Sequence, residues 1–255
     1  MKIYIFGSCS GTEPFLDRHH TAWALEENER LYWFDAGEGC AHTAYLMGMD
    51  LLAISDIFIT HSHMDHVGGL PHLLWTIRKL SGRLNKIPKF NNISVHFPNN
   101  ESFNGVMAML RNAEGQYNNP YQTIACKIKD GMLLKNDSVT VTAKHTMHMK
   151  PTEEGYQSFS FIIEAEGKKI VYSGDFATLN EIDDLIADGC DVLLTETGHH
   201  NPEDFCMYMK NRRIGHVYFL HHGRSILQNY HTMLEKCRAI MPNVTFCNDK
   251  DIFEI

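Results

Sequence analysis

The sequence predicts an α+β chain built from two β-sheets packed face to face with helices on the outside. Short strand-like runs dominate the first part of the chain, and strands and helices alternate in the second. No repeat, low-complexity tract or linker-like shift of composition interrupts the pattern, so one domain over residues 1–255 is expected. A chain of 255 residues can bury a sizeable core without disulfide or metal staples.

Taken in order, Ile3–Phe6 reads as a strand and Gly7–His20 as a long polar loop. Thr21–Glu26 and Leu31–Asp35 are two strands about the turn-like Glu27-Asn28-Glu29-Arg30. Asp35-Ala36-Gly37-Glu38-Gly39 is a glycine-rich break before a short helix over Cys40–Gly48, and Ile57-Phe58-Ile59 is a buried strand. Leu70, Leu73, Leu74, Ile77 and Leu80 recur at helical spacing up to Gly82. Between Arg83 and Gly131 the pattern is faint, with a strand at Ile93–Phe97, a helix over Glu101–Asn112 and a strand over Thr123–Ile128. Val139–Ala143 alternates with period two, and Phe159–Ile163 with Lys169–Tyr172 forms a hairpin around Glu166-Gly167. A helix (Leu179–Ala187), a strand (Asp191–Thr195), a helix (Pro202–Asn211), a strand (His216–Leu220) and a helix (Ile226–Met241) follow. Val244–Phe246 and Asp251–Glu254 close the chain.

Hydrophobic residues make up 44% and charged residues 21%, ordinary for a globular protein. The formal charge of −8 gives no global basic field, which argues against a large polyanionic partner and leaves small anions open. The seven cysteines are odd in number and scattered without a C-x-x-C, so neither a disulfide framework nor a zinc ribbon is expected. The apolar run at Ile3–Phe6 is too short for a signal peptide, and no run is long enough to span a bilayer. A cytoplasmic protein with no membrane partner is expected.

The chemistry concentrates in Thr60-His61-Ser62-His63-Met64-Asp65-His66, directly after the Ile57–Ile59 strand. Three imidazoles and a carboxylate within six residues suit a metal site better than a solvated turn, because burying them without a cation is costly. On an extended backbone, alternation places His61, His63 and Asp65 on one side and turns His66 elsewhere, so one segment can feed two ions. Three later groups also follow strands: His145 and His148 after Val139–Thr142, Ser173-Gly174-Asp175 after Ile170–Tyr172, and His221-His222-Gly223 after Val217–Phe219. Each alone is more often a core histidine or a turn.

The motif His61-x-His63-x-Asp65-His66 resembles the signature of the metallo-β-lactamase superfamily. Further matches point to its ribonuclease Z and small-molecule phosphodiesterase branch. Gly7-Ser8 through Arg18 resembles the N-terminal glycine-rich loop, and Phe34-Asp35-Ala36-Gly37-Glu38-Gly39 the F-D-x-G-E-G element. Tyr172-Ser173-Gly174-Asp175 resembles the bridging-aspartate motif, and Leu220-His221-His222-Gly223 the last histidine motif, without the usual Thr before the His. The resemblance implies the four-layer αββα sandwich with two mixed sheets. It also implies a ligand set: His61, His63 and a later His for one metal, Asp65, His66 and His221 for the other, and Asp175 bridging. The family pattern, which places the later His nine residues after the first valine of its strand, points from Val139 to His148 in preference to His145, and His221 is preferred to His222. His145 is left as a contact to substrate or to a ligand.

This donor set has no thiolate, so two divalent ions are expected, zinc first and manganese as the alternative. Partners for the second imidazole nitrogens are expected as well. Asp35 and Glu38 are candidates, with a turn acid and a helix N-terminal acid as the plain alternatives. By the same resemblance, two cations roughly 3.5–4 Å apart would hold a hydroxide that attacks an electrophilic centre in line. Asp65 would orient it besides ligating. Where relatives carry a His-Glu pair to protonate the leaving oxygen, this chain has Thr195-Glu196, leaving Glu196 with His199 or His200 as candidate proton donors. The RNA-cutting relatives' long arm is replaced by the plain hairpin Glu164–Lys169, which makes folded RNA a poor substrate. Arg18, Tyr121, Lys127 and Lys144 are further candidates for phosphate or base contacts, ordinary surface roles being the alternative.

The expected activity is hydrolysis of a small phosphodiester, such as a cyclic nucleotide or a cyclic phosphate. The alternatives are a tRNA 3′-processing endonuclease of the ribonuclease Z type, a lactone or thioester hydrolase, and a non-catalytic metal-binding protein. A homodimer is expected because such relatives often pair.

Overall fold

A computed structural model describes residues 1–113 and 117–255, so Glu114, Gly115 and Gln116 of the faint Arg83–Gly131 region lie outside the described residues. By internal contacts the chain divides into two compact units. One comprises Met1–Gly7, Asp17–Ile128 and Asp249–Ile255, the other Ser8–Leu16 and Lys129–Asn248.

The first unit holds a mixed sheet of seven described strands. From β1 (Lys2–Gly7) it passes to β2 (Ala22–Glu27), β3 (Arg30–Phe34), β4 (Ile54–Phe58), β5 (Asn92–Phe97) and β6 (Gln122–Lys127), with Ile252–Glu254 on the outer side of β1. β1, β2 and β3 pair antiparallel, whereas β3 to β6 run parallel. Of the parallel strands, β4 is buried throughout and β5 over most of its length, as a sheet covered on both faces requires, while the outer strand β6 is half-buried to exposed. Helices α1 (Cys40–Leu46), α2 (Met64–Val67), α3 (Leu70–Leu84) and α4 (Asn100–Arg111) belong to this unit. The helical spacing read from Leu70 onwards is the buried stripe of α3, whose Leu70, Leu73, Leu74 and Ile77 join the core with Trp33, Ile57 and Val95.

The second unit has its own mixed sheet of seven described strands. These are β7 (Gly131–Lys135), β8 (Val139–His145), β9 (Phe159–Ala165), β10 (Lys168–Tyr172), β11 (Cys190–Thr197), β12 (Ile214–His222) and β13 (Val244–Phe246), in spatial order from one edge to the other. β7 to β10 alternate in direction, while β10 to β13 run parallel. The ends of β8, β10, β11 and β12 that lead into the polar loops therefore share one end of the sheet. Glu166 and Gly167 both take positive φ, 49° and 73°, which is how a two-residue turn closes the β9–β10 hairpin. Helices α5 (Asp183–Ile186), α6 (Pro202–Met209), α7 (Arg224–Gln228) and α8 (Tyr230–Ile240) belong here, and Phe205, Cys206 and Cys237 pack with Val217 and Phe219.

Several expectations are corrected. The backbone is extended only to His63. Met64–Val67 forms a helical turn, with the N–H groups of His66 and Val67 both donating to the His63 carbonyl, so the alternation argument fails beyond His63. β7 was not foreseen: it is an edge strand with a shifted register, and its exposed Gly-Met-Leu-Leu-Lys has no period-two pattern. The helix expected over Leu179–Ala187 is a 3₁₀ turn, Leu179–Ile182, running into α5, because the Thr178–Glu181 capping box tightens its start. The long helix expected over Ile226–Met241 breaks at Asn229, whose side-chain amide donates to the Ser225 carbonyl. Tyr121 is only 6% exposed and packs in the first unit's core, so it is no surface contact. None of the seven cysteines is in a disulfide. No described helix is long and apolar enough to cross a membrane.

Candidate metal centre

In the first unit the histidine motif follows β4, beside the parallel β3. That pairing sets Phe34 against Phe58 and lets the Asp35 amide donate to the Phe58 carbonyl at 2.8 Å. Asp35, fully buried at φ 53°, turns its carboxylate into the loop. It accepts from the Thr60 amide at 2.7 Å and from the Thr60 hydroxyl at 2.9–3.0 Å, and it lies 2.9 Å from His66 Nδ1. An ionised carboxylate only accepts, so His66 carries its proton on Nδ1 and keeps the Nε2 lone pair.

Thr60 extends the same logic. Its single proton goes to Asp35, so its oxygen accepts from His61 Nδ1–H at 3.0 Å. His61 thereby keeps its Nε2 lone pair, and that nitrogen lies 3.0 Å from His63 Nδ1. Asp65 Oδ2 lies 3.5 Å from His66 Nε2. The four motif residues thus bring their donor atoms together within this unit. Asp35 is the partner for an imidazole that the sequence suggested, and Glu38 is exposed. The relay through Thr60 was missed; a hydroxyl residue directly before the first motif histidine is the only signal for it.

The motif is held by close backbone packing. A Cβ on Gly37 would lie 2.6 Å from the Asp65 carbonyl oxygen, and one on Gly69 would lie 2.2 Å from the Gly37 oxygen. Only glycine fits at either position. The Gly69 amide donates to Ala36 O at 2.8 Å and the Ala36 amide to His66 O at 2.6 Å, which locks the motif turn onto the β3 loop.

In the second unit the last residues of β11 and β12 and the loops after β8, β10 and β11 bring Glu196 and His221 together with His148, Asp175 and His199. Asp175, only 2% exposed, has three imidazole nitrogens about one carboxylate oxygen. Oδ2 lies 3.1 Å from His199 Nε2 and 3.5 Å from both His148 Nε2 and His221 Nε2. The donor atoms of His148, Asp175 and His199 lie within 4.8 Å of one another, as do those of Glu196, His199 and His221. Glu196 Oε2 accepts from the His199 amide at 2.6 Å and lies 3.8 Å from His221 Nδ1, on the far side of that ring from Asp175. The Thr146 hydroxyl donates to the Asp175 carbonyl at 2.8 Å.

The other histidines of this unit are differently engaged. His145 Nδ1 lies 2.6 Å from Asp130 Oδ2, and its ring stacks on Tyr156 at 3.6 Å. His222 uses both nitrogens, Nδ1 with Thr197 Oγ1 at 2.8 Å and Nε2 donating to the Cys247 carbonyl at 3.0 Å. Its backbone also pairs with the Ser8–Ser10 segment. His200 stacks on Phe176 and donates from Nε2 to the Phe176 carbonyl at 3.0 Å. The imidazole of His199 is pushed above its ordinary pKa of 6.5 by its hydrogen bond to Asp175; burial opposes this, and the charge of Glu196 assists it.

These donors fit divalent cations. They are imidazole nitrogens and carboxylate oxygens, they converge without thiolates, and the rear nitrogens of His61 and His66 are held by Thr60 and Asp35. The clusters and the fold together support a metal-dependent hydrolase. The comparisons specify the class. Over all of this chain and 99% of the other, the structure matches the metallo-β-lactamase fold protein YhfI from Bacillus subtilis, with a TM-score of 0.78 at 15% identity. It matches human tRNase Z, short form, over the same shares with a TM-score of 0.74 at 19% identity. The fold is therefore the metallo-β-lactamase fold, two mixed sheets flanked by helices. In sequence, the ribonuclease Z of Shouchella clausii is 24% identical over 308 aligned positions, which cover 100% of this chain and 97% of that protein. Residues 1–233 match the family profile described as Anti-Pycsar protein Apyc1, and the chain belongs to that family.

Proposed function

We propose that the protein is a phosphodiesterase that hydrolyses a small diester, a cyclic nucleotide or cyclic phosphate, with two divalent metal ions. In this reading His61, His63 and His148 would hold one ion and Asp65, His66 and His221 the other, with Asp175 as a ligand shared by the two, the assignment implied by the family motif. Bound ions supply Lewis acidity, which makes water nucleophilic at neutral pH and neutralises phosphoryl charge. Asp35 and Thr60 keep two imidazoles in the ligating tautomer. His199 has a raised pKa and lies against Asp175, so it is the better placed of the two candidate histidines to give a proton to the leaving oxygen; His200 is occupied by Phe176. Glu196 fixes the His199 loop through its amide. The observation that carries the reading is the convergence of His148, His199 and His221 on one oxygen of Asp175.

The small-substrate part rests on the β9–β10 hairpin, whose turn is only Glu166-Gly167, and on a net charge of −8. Neither offers a grip on folded RNA. The full-length similarity to a ribonuclease Z supports a second reading, tRNA 3′ processing. Metal-loaded protein assayed on cyclic nucleotides, bis-p-nitrophenyl phosphate, lactones and precursor tRNA separates them. Cleavage of the diesters with the highest kcat/KM, lost on chelation and restored by zinc or manganese, is the expected result. Faster cleavage of a lactone or of precursor tRNA overturns it.

A further inference from the structure

His148 and Asp175 stand on separate loops of the second unit, one after β8 and one after β10, and their Nε2 and Oδ2 atoms lie 3.5 Å apart. Beyond its strand each loop has left the ladder of the sheet, so other bonds must fix that spacing. The tolerance is narrow, because ligands to one ion have to be held to within about 0.5 Å. Two sets of hydrogen bonds join the loops.

The inner set is made of hydroxyls. Thr146 and Ser158 are both buried. Ser158 brackets the His148 loop: its carbonyl accepts from the Thr146 amide at 2.9 Å, and its Oγ accepts from the Met149 amide at 3.1 Å. The Thr146 hydroxyl donates to the Asp175 carbonyl at 2.8 Å. With that proton committed, Thr146 Oγ1 accepts across its 2.9 Å contact with Ser158 Oγ, and the Ser158 proton points to Thr146, whose carbonyl lies at 3.0 Å. The bonds therefore run in one direction, from the amide beside His148 to the carbonyl of Asp175.

The outer set centres on a carboxylate. Glu181 Oε1 accepts from the amides of Ala177 and Thr178 at 3.0 and 2.8 Å. Capping the turn that starts at Thr178 occupies that oxygen alone. Oε2 reaches across to the Met147 amide at 2.7 Å, the residue before His148. Bonds within each loop would serve loop stability. The Thr146–Asp175 and Met147–Glu181 bonds instead cross from the His148 loop to Asp175 and the segment after it.

We propose that Thr146, Ser158 and Glu181 are positioning residues. They fasten the His148 loop to the Asp175 loop and so set the spacing at which the two side chains meet a divalent ion. This inference rests on the reading of His148 and Asp175 as metal ligands and adds three residues outside the ligand set.

Metal affinity of the full chain, from competition with a chromophoric chelator, and the visible spectrum of the cobalt(II)-loaded protein test it. The proteins are the wild type, Thr146→Val, Thr146→Ser and Glu181→Gln, each studied well below the melting temperature of its metal-free form so that global stability does not enter. Valine keeps the shape of threonine and loses the hydroxyl; serine keeps the hydroxyl and loses the methyl group. Thr146→Val is expected to weaken at least one ion by about tenfold or more and to shift the cobalt bands, which report ligand geometry. Thr146→Ser should stay within about threefold of wild type, since the hydroxyl is retained. Glu181→Gln, whose amide cannot accept on both sides, should weaken binding by about threefold or more. Wild-type affinity in Thr146→Val or in Glu181→Gln overturns the proposal. So does a loss in Thr146→Ser as large as in Thr146→Val, which would make methyl packing the cause. Should Thr146→Val not fold, Glu181→Gln decides. A wild type that binds cobalt but cleaves no diester sets the phosphodiesterase reading aside and leaves the affinities of the variants to decide this one.

Discussion

Asp35 and His66 are 31 positions apart in the chain, and their side chains meet at 2.9 Å, imidazole Nδ1 donating to carboxylate Oδ2. The same carboxylate takes the proton of Thr60, whose oxygen then accepts from His61. One buried acid thereby sets the tautomers of two imidazoles and aims both Nε2 lone pairs. The parallel pairing of β3 with β4 makes this possible, because it ends both strands at the same level.

Asp35→Asn tests that role with little change of shape, since asparagine also tolerates the positive φ of this position. The amide can donate to His66 Nδ1, which turns the imidazole to the tautomer with Nε2–H. Metal affinity should fall by about 10–100-fold for one of the two ions, with a small effect on the melting of the metal-free chain. Competition against a chromophoric chelator measures it. Two unchanged affinities would remove Asp35 from the account.

His221 and His222 are neighbours that should respond in opposite ways. His222 is held through both nitrogens and its backbone, so His222→Asn should cost about 1–3 kcal/mol of stability and leave the metal content intact. His221 faces Asp175 at 3.5 Å from a left-handed backbone, φ 52°, that asparagine also accepts. His221→Asn should lose one ion and about 100-fold or more of turnover, with metal-free melting close to wild type. Elemental analysis and thermal melting decide, and the reverse pattern would exchange the roles of the pair.

Gly69 begins α3 where its Cα faces the Gly37 carbonyl. A methyl group there would meet oxygen at 2.2 Å, backbone against backbone, with no flexible side chain to give way. Gly69→Ala should destabilise the protein by about 1–3 kcal/mol and lower metal affinity, because the turn carrying Asp65 and His66 is pinned by the same contact. Gly82→Ala is the control, since nothing lies within 4 Å of a Cβ at that exposed position of the same helix. Equal melting of the two variants would refute the packing argument.

The strands were legible where burial imposed a pattern, as in Val139–Ala143 and the Phe159–Tyr172 hairpin. The pattern failed where an element has little to bury, as at the edge strand β7, or where a polar side chain competes with the helix, as at Asn229. The motif from His61 to His66 was readable because it is contiguous. Its supports were readable only in part. Asp35 stood out as an acid in a glycine-rich break, but its pairing with His66 depends on strand order, which no local pattern encodes. For the relay through Thr60 between Asp35 and His61, the only sign was a hydroxyl residue directly before the first motif histidine. The position of His145 depended on Asp130 and Tyr156, neither of which spacing could connect to it.

His216 gives a pH dependence with a definite sign. It lies on β12 with Nε2 2.9 Å from Thr245 Oγ1, and its pKa is held below the ordinary 6.5, first by burial and then by the charge of Arg238. The folded chain therefore refuses a proton that the unfolded chain accepts. Its stabilising contribution is full above pH 6.5 and declines as the pH falls from there through the lowered value. His216→Gln removes the titration while offering an amide to Thr245. In metal-free protein, where ligand protonation does not alter metal binding, the wild-type melting temperature should drop further than the variant's between about pH 7.5 and pH 5, with the difference opening below about 6.5. Parallel curves would mean that His216 takes up its proton in the folded state as readily as in the unfolded chain, and neither its burial nor Arg238 would then be holding it neutral.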